Sequence, residues 1–243
     1  HPTITELLDR YHAIQPNGSS LSHYFTSTEV TALTTYFATL QNDVVTENRV
    51  SNNTLIYGNN PLESTLHTFE ADTPETATNI GSDLNHSDFE SAGDIDPQNL
   101  NTAYIITYEN GRLYELDLTT TTYTFLGIIS PPNTQFWNGL EFDVVTNTLY
   151  AISSNFVGTS TLHTIDINNL TATLIGETGT PGMIAIAIDD DNKMYGHDVA
   201  SDSFYTIDMT TGVATMVGSL NFDANFGQDL EWDASTGTMY MAS

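Results

Sequence analysis

The feature that most constrains this chain is an internal repeat. From about Asn53 onward a short segment ending in tyrosine recurs, as Asn53-Thr-Leu-Ile-Tyr57, Asn101-Thr-Ala-Tyr104, Asn147-Thr-Leu-Tyr150, Asn192-Lys-Met-Tyr195 and Gly237-Thr-Met-Tyr240, with successive tyrosines 45 to 47 residues apart. Just upstream lies a strand closed by aspartate: Gly93-Asp-Ile-Asp96, Gly139-Leu-Glu-Phe-Asp143, Ala185-Ile-Ala-Ile-Asp189 and Asp229-Leu-Glu-Trp-Asp233. Downstream comes a third strand, Thr65-Leu-His-Thr-Phe69, Arg112-Leu-Tyr-Glu-Leu-Asp117, Thr161-Leu-His-Thr-Ile-Asp166 and Ser203-Phe-Tyr-Thr-Ile-Asp208. A fourth ends in glycine, at Gly81, Gly127, Gly176 and Gly218.

Four short alternating strands per unit, separated by Asx, Gly and Thr turn residues, predict an all-β fold. One such sheet is apolar on both faces and has to stack against neighbours to bury them. The predicted architecture is therefore a β-propeller of four-stranded blades. Four near-complete repeats precede only the first two strands of a fifth, which points to truncation, processing from a longer chain, or completion by another segment or subunit. The aspartate repeated between the first two strands reads as turn chemistry, its carboxylate accepting nearby backbone N–H groups.

Through its recurring "LY-x-I/L", "x-I-D" and "T-x-x-x-G" elements, the chain from about residue 40 to 243 resembles the YVTN-like and related propeller repeats. The tract from Gly218 to Tyr240 carries the likeness most clearly. Such repeats belong to large secreted bacterial proteins, many of them modular, so the resemblance implies an extracellular module. It specifies architecture better than activity, because propellers host binding, scaffolding and catalysis alike.

Residues 1–42 follow another period. Thr3-Ile-Thr-Glu6 is a capping box leading into the stripe Ile4, Leu7, Leu8, Tyr11, Ile14, and Thr26-Ser-Thr-Glu29 leads into Val30, Leu33, Phe37, Leu40. Two short helices forming a cap or arm are expected there, with the propeller repeats spanning 43–243.

Charge excludes whole classes of partner. With 31 Asp+Glu against 4 Lys+Arg, the formal net charge of -27 repels phosphate backbones and anionic membrane surfaces. It suits solubility and the capture of cations. No run of about 18 apolar residues offers a membrane span. Absent cysteine removes disulfides, thiolate nucleophiles and thiolate metal sites.

Candidate chemistry follows from the repeat. Asp94, Glu141 and Glu231 occupy equivalent places on three first strands, where the remaining repeat has Ala187. First strands line a propeller's channel, so these acids form a candidate site for a hard cation such as Ca²⁺, against the plainer reading of solvated acids. Trp137, Trp232 and Phe136 form a candidate ligand-stacking platform, against a role in blade packing. His67 and His163 share a repeat position with Tyr114 and Tyr205, which marks them as packing residues. No Gly-x-Ser-x-Gly elbow is present and no catalytic residue is assigned. The leading expectation is a non-catalytic extracellular module for binding, adhesion or scaffolding, taking a protein or carbohydrate surface ligand and no organic cofactor. Two alternatives stand beside it: a self-assembling surface or filament subunit, and a propeller glycosidase or lyase using channel-mouth acids such as Glu141.

Overall fold

A computed structural model of the chain describes residues 55–60, 65–71, 73–82, 89–132, 134–224, 228–234 and 236–242. The expected N-terminal helices lie outside the described residues. The described part is β-structure throughout, apart from one 3-10 turn at Pro74–Thr76.

Its strands form five sheets in chain order, each an antiparallel meander. Blade 1 contains β1 (Leu55–Asn60), β2 (Thr65–Glu70) and β3 (Thr78–Ser82). Blade 2 contains β4 (Glu90–Ile95), β5 (Thr102–Thr107), β6 (Arg112–Asp117) and β7 (Thr122–Ile128). Blade 3 contains β8 (Phe136–Asp143), β9 (Thr148–Ser154), β10 (Thr161–Asp166) and β11 (Thr171–Glu177). Blade 4 contains β12 (Met183–Ile188), β13 (Met194–Asp198), β14 (Ser203–Ile207) and β15 (Ala214–Ser219). Blade 5 contributes β16 (Asp229–Asp233) and β17 (Thr238–Ala242). By repeat position, blade 1 shows its second to fourth strands and blade 5 its first two. The first strands β4, β8, β12 and β16 pack in series, which is the propeller arrangement.

Burial follows the stacking. Ile106 and Leu113 of blade 2 pack with Trp137, Leu140, Phe142 and Leu149, which belong to blade 3. Ile152 and Leu162 of blade 3 pack with Met183, Ile186 and Met194 of blade 4. Every residue of β12 is buried, as its Met-Ile-Ala-Ile-Ala-Ile sequence requires of an inner strand flanked on both faces.

One feature recurs in blades 1 to 4. The fourth strand is bulged, leaving Ile80, Leu126, Ile175 and Val217 unpaired just before the glycine. A β-bulge re-aims its extra residue, here toward the following blade. Ile80 packs against the apolar cluster that holds Leu118 of blade 2, Leu126 joins the cluster that Ile167 and Leu170 of blade 3 also join, and Ile175 the cluster that Met209 of blade 4 also joins. The adjoining glycine receives the tip of the next blade's third-to-fourth-strand turn. A Cβ on Gly81 would meet Thr121 Oγ1 at 2.6 Å, on Gly127 Leu170 Cδ1 at 2.2 Å, and on Gly176 Thr211 O at 2.0 Å.

The turns confirm the reading of the repeated aspartates. Asp143 Oδ1 accepts from Val145 N at 2.8 Å and Oδ2 from the Thr146 hydroxyl at 2.6 Å. Asp189 accepts from Asp191 N and Lys193 N. At the outer turns, Asp117 accepts from Thr119 and Thr120, and Asp208 from Thr210 and Thr211. These turns end in left-handed residues: Thr121 (φ 55), Leu170 (φ 54) and Gly212 (φ 79).

Candidate functional site

The acids Asp94, Glu141 and Glu231 come from β4, β8 and β16, three separate blades. In register each faces the repeat tyrosine of its neighbouring strand: Tyr104, Tyr150 and Tyr240. Radial stacking brings them together, so that one carboxylate oxygen from each lies within 4.8 Å of the others. Glu141 is buried, Asp94 half-buried, and Glu231 keeps exposed surface.

Backbone donors orient the group. Asp94 Oδ1 accepts from Ile95 N and its Oδ2 from Phe142 N, both at 2.6 Å. The second bond crosses from blade 2 to blade 3. Glu141 Oε1 accepts from Ile188 N at 2.8 Å, repeating the same staple from blade 3 to blade 4. Glu231 Oε1 accepts from Trp232 N at 3.1 Å. Among the described residues, Glu141 and Glu231 each keep a second carboxylate oxygen free of hydrogen bonds.

Like charges at this spacing are costly. Two unit charges about 4.8 Å apart repel by roughly 3.5 kcal/mol at an effective dielectric of about 20. Asp94 is accordingly raised to about 7, chiefly by burial, against the two backbone hydrogen bonds that lower it. Glu141 and Glu231 are pushed well above the ordinary carboxylate range, first by burial and then by the other acids. Asp229, also of β16, is raised to about 6 by burial. Its place in the repeat is taken elsewhere by Ala92, Gly139 and Ala185, so aligning the repeats position by position would have singled it out. Bound protons, or the charge of a cation, relieve such repulsion.

The three aromatics separate by environment. Trp137 is fully buried, its indole N–H donating to Ile129 O at 2.7 Å, and His163 meets its ring edge-on at 5.3 Å. It is a core residue, which corrects its expected place in a stacking platform: no face of the ring is open to a ligand. Trp232 is half-buried on β16. Phe136 is half-buried and stacks on Tyr108, centroids 4.4 Å apart and planes at 11°. It lines an open concavity of about 530 Å³ together with Glu109, Arg112, Pro131 and Gln135. Gln135 is fixed there, with Nε2 donating to Thr159 O and Oε1 accepting from the Ser153 and Thr161 hydroxyls. Sequence reasoning missed Arg112 here, since only the fold sets it beside Phe136. His67 and His163 both bond the threonine two residues before them, and burial drives His163 down to about 4.

No protein-family model matches the chain, and no curated protein does. Among solved structures, a chain of the nidogen–laminin complex is similar at 13% identity and a TM-score of 0.55, over 76% of this chain and 68% of that one. The luciferin-regenerating enzyme is similar at 13% identity and a TM-score of 0.52, over 78% and 65%. TolB from Acinetobacter baumannii is similar at 15% identity and a TM-score of 0.49, over 77% and 46%. The chain spans about half of TolB, and half of a Bacteroides thetaiotaomicron protein that it also matches. Propeller proteins are among these neighbours, and the likeness at such identities concerns the fold.

Proposed function

We propose that this chain is an extracellular propeller module that binds its partner without turning it over, and that a calcium-sized cation in the channel braces its blades. The observation that carries the reading is the convergence of Asp94, Glu141 and Glu231 from three blades. Calcium takes oxygen ligands at about 2.3–2.6 Å, so ligands on opposite sides of one ion stand about 4.8 Å apart. The second oxygens of Glu141 and Glu231 have capacity for it, with water completing the shell. A cation there relieves the mutual repulsion and ties blades 2, 3 and 5 at one point. The concavity beside Arg112 and Phe136 is the surface for a carbohydrate or protein ligand, an aromatic ring next to fixed polar groups. The likeness to YVTN-like repeats supports the extracellular setting.

Chelator-treated protein at pH 8 should gain thermal stability on adding calcium, beyond that given by sodium chloride of equal ionic strength. At about 100-fold excess over Kd the gain is about 2.7 kcal/mol. Glu141→Gln and Glu231→Gln should lose the response. A wild-type protein indifferent to calcium overturns the cation, and robust hydrolysis in glycan and ester panels overturns the non-catalytic reading.

A further inference from the structure

In blades 1, 3 and 4 the third strand opens on a small hydroxyl residue bonded within its own blade. Thr65 and Thr161 bond the histidines two residues on, and Ser203 donates to Ser201 O. Blade 2 has Arg112 at that place. The hydrogen bonding of a blade does not call for a guanidinium there, so Arg112 is an addition to the repeat. It is exposed, at the concavity that Gln135 and Phe136 also line. The chain carries 31 Asp+Glu against 4 Lys+Arg, so acids to pair with are plentiful. Yet among the described residues the Arg112 side chain makes no hydrogen bond or ion pair, although Glu109 lines the same concavity. Lys193, the other described basic residue, lies over the Tyr195 ring at 5.0 Å.

An open guanidinium presents five N–H donors in a planar fork, which matches a carboxylate bidentately. Beside it the Gln135 amide is locked, Oε1 by the Ser153 and Thr161 hydroxyls and Nε2 by one hydrogen given to Thr159 O. The second Nε2 hydrogen remains for a ligand. Tyr108 stacks on Phe136 at 4.4 Å without lining the concavity, so it backs the ring from outside. A flat aromatic wall suits the C–H face of a pyranose, and the polar groups around it suit the sugar's rim. We infer that the concavity binds a glycan bearing a single uronic acid, its carboxylate on the Arg112 fork and its ring against Phe136. The inference rests on the concavity being the ligand surface and is independent of the channel cation. Gln135 donates to a sugar oxygen, and the Glu109 carboxylate accepts from a hydroxyl. One guanidinium neutralises one carboxylate. The net charge of -27 repels a second, because salt screens exposed charges only beyond a Debye length of about 8 Å. The acid is therefore a terminal or branch unit on an otherwise neutral glycan.

The probes are the methyl glycosides of glucuronate, galacturonate and mannuronate, each titrated beside its neutral hexoside by NMR on the full chain. At least one uronide should bind one-to-one and shift the Gln135 side-chain amide and the Arg112 Nε–H. It should bind at least about tenfold tighter than its neutral partner, a difference of about 1.4 kcal/mol. Arg112→Gln should keep the melting temperature and abolish that preference. Arg112→Lys, a charge without the fork, should restore only part of it. Equal binding of uronide and neutral hexoside, or a preference that survives Arg112→Gln, overturns the inference and leaves the concavity as a sugar surface. Acetate bound as tightly as the uronides overturns it too, since the site then takes any carboxylate. Polygalacturonate bound more tightly per uronate than the monomer overturns the single-acid form. No resonance shift from any of these sugars at millimolar concentration overturns both the inference and the carbohydrate reading of the concavity.

Discussion

Residues with the same chemistry do different work here according to which surface the blade gives them. Trp137 and Phe136 are sequence neighbours, yet one is sealed between blades 2 and 3 and the other edges an open concavity. Trp137→Ala should therefore cost about 3–5 kcal/mol in chemical denaturation, by cavity formation and an orphaned Ile129 carbonyl. Phe136→Ala should cost less and instead weaken binding of any ligand held in the concavity, checked by titration once a ligand is found. The outer-turn aspartates are a third case. Asp117, Asp166 and Asp208 are held below the ordinary carboxylate range, chiefly by the side chains of Thr119, Asn169 and Thr210 that donate to them. Their charge is consumed in shaping turns, whereas the channel acids meet one another.

At the scale of the element, the blade joint is a bulge, a glycine and a turn tip. Gly176 is needed because the Thr211 carbonyl sits where a Cβ would go. Gly176→Ala should destabilise the protein by about 1–3 kcal/mol through overpacking. Gly218→Ala, at the equivalent place on blade 4, should be close to neutral. The pair, compared by urea midpoints, tests the joint directly: equal losses would mean that the glycines serve strand conformation and not docking. The strands themselves were legible in the sequence, since period-two patterning and turn residues mark every one of them. The bulges were not, because an extra residue in the fourth strand changes pairing without changing composition. Nor was the docking of Leu170 on Gly127, a contact between repeats that no single repeat contains.

For the whole molecule, the channel acids give stability an unusual dependence on pH. Asp94 and Asp229 titrate near 7 and 6 in the folded protein, and Glu141 and Glu231 are likewise held well above the ordinary carboxylate range, against about 4 in an unfolded chain. The folded state binds more protons than the unfolded state across that window, so stability falls as pH rises from about 4 through 7. His163 and His197, both lowered by burial, act in the opposite sense. His163 titrates near 4 when folded and about 6.5 when unfolded, so its contribution is present above about 6.5 and lost as pH falls through 4. The four acids outnumber the two imidazoles, with Asp94 and Glu141 contributing most because solvent screens the more exposed Glu231 and Asp229. Metal-free protein should lose stability between pH 5.5 and pH 8 in urea titrations, in keeping with these values. Glu141→Gln, which retains an acceptor for Ile188 N, should flatten that slope. A wild-type slope of the opposite sign would show that the acids are ionised without cost, and the channel reading would fall.

The repeat alone determined the strand set, the blade as the unit, the turn role of the aspartates and the equivalence of Asp94, Glu141 and Glu231. Each of these is a short-range property, set by alternation and turn chemistry within about 45 residues. Only the tertiary structure decided that the three acids converge, that Trp137 is sealed and that Arg112 stands beside Phe136. Those are distances between blades. They arise from how apolar sheet faces stack around an axis, and a one-dimensional pattern carries no measure of that stacking.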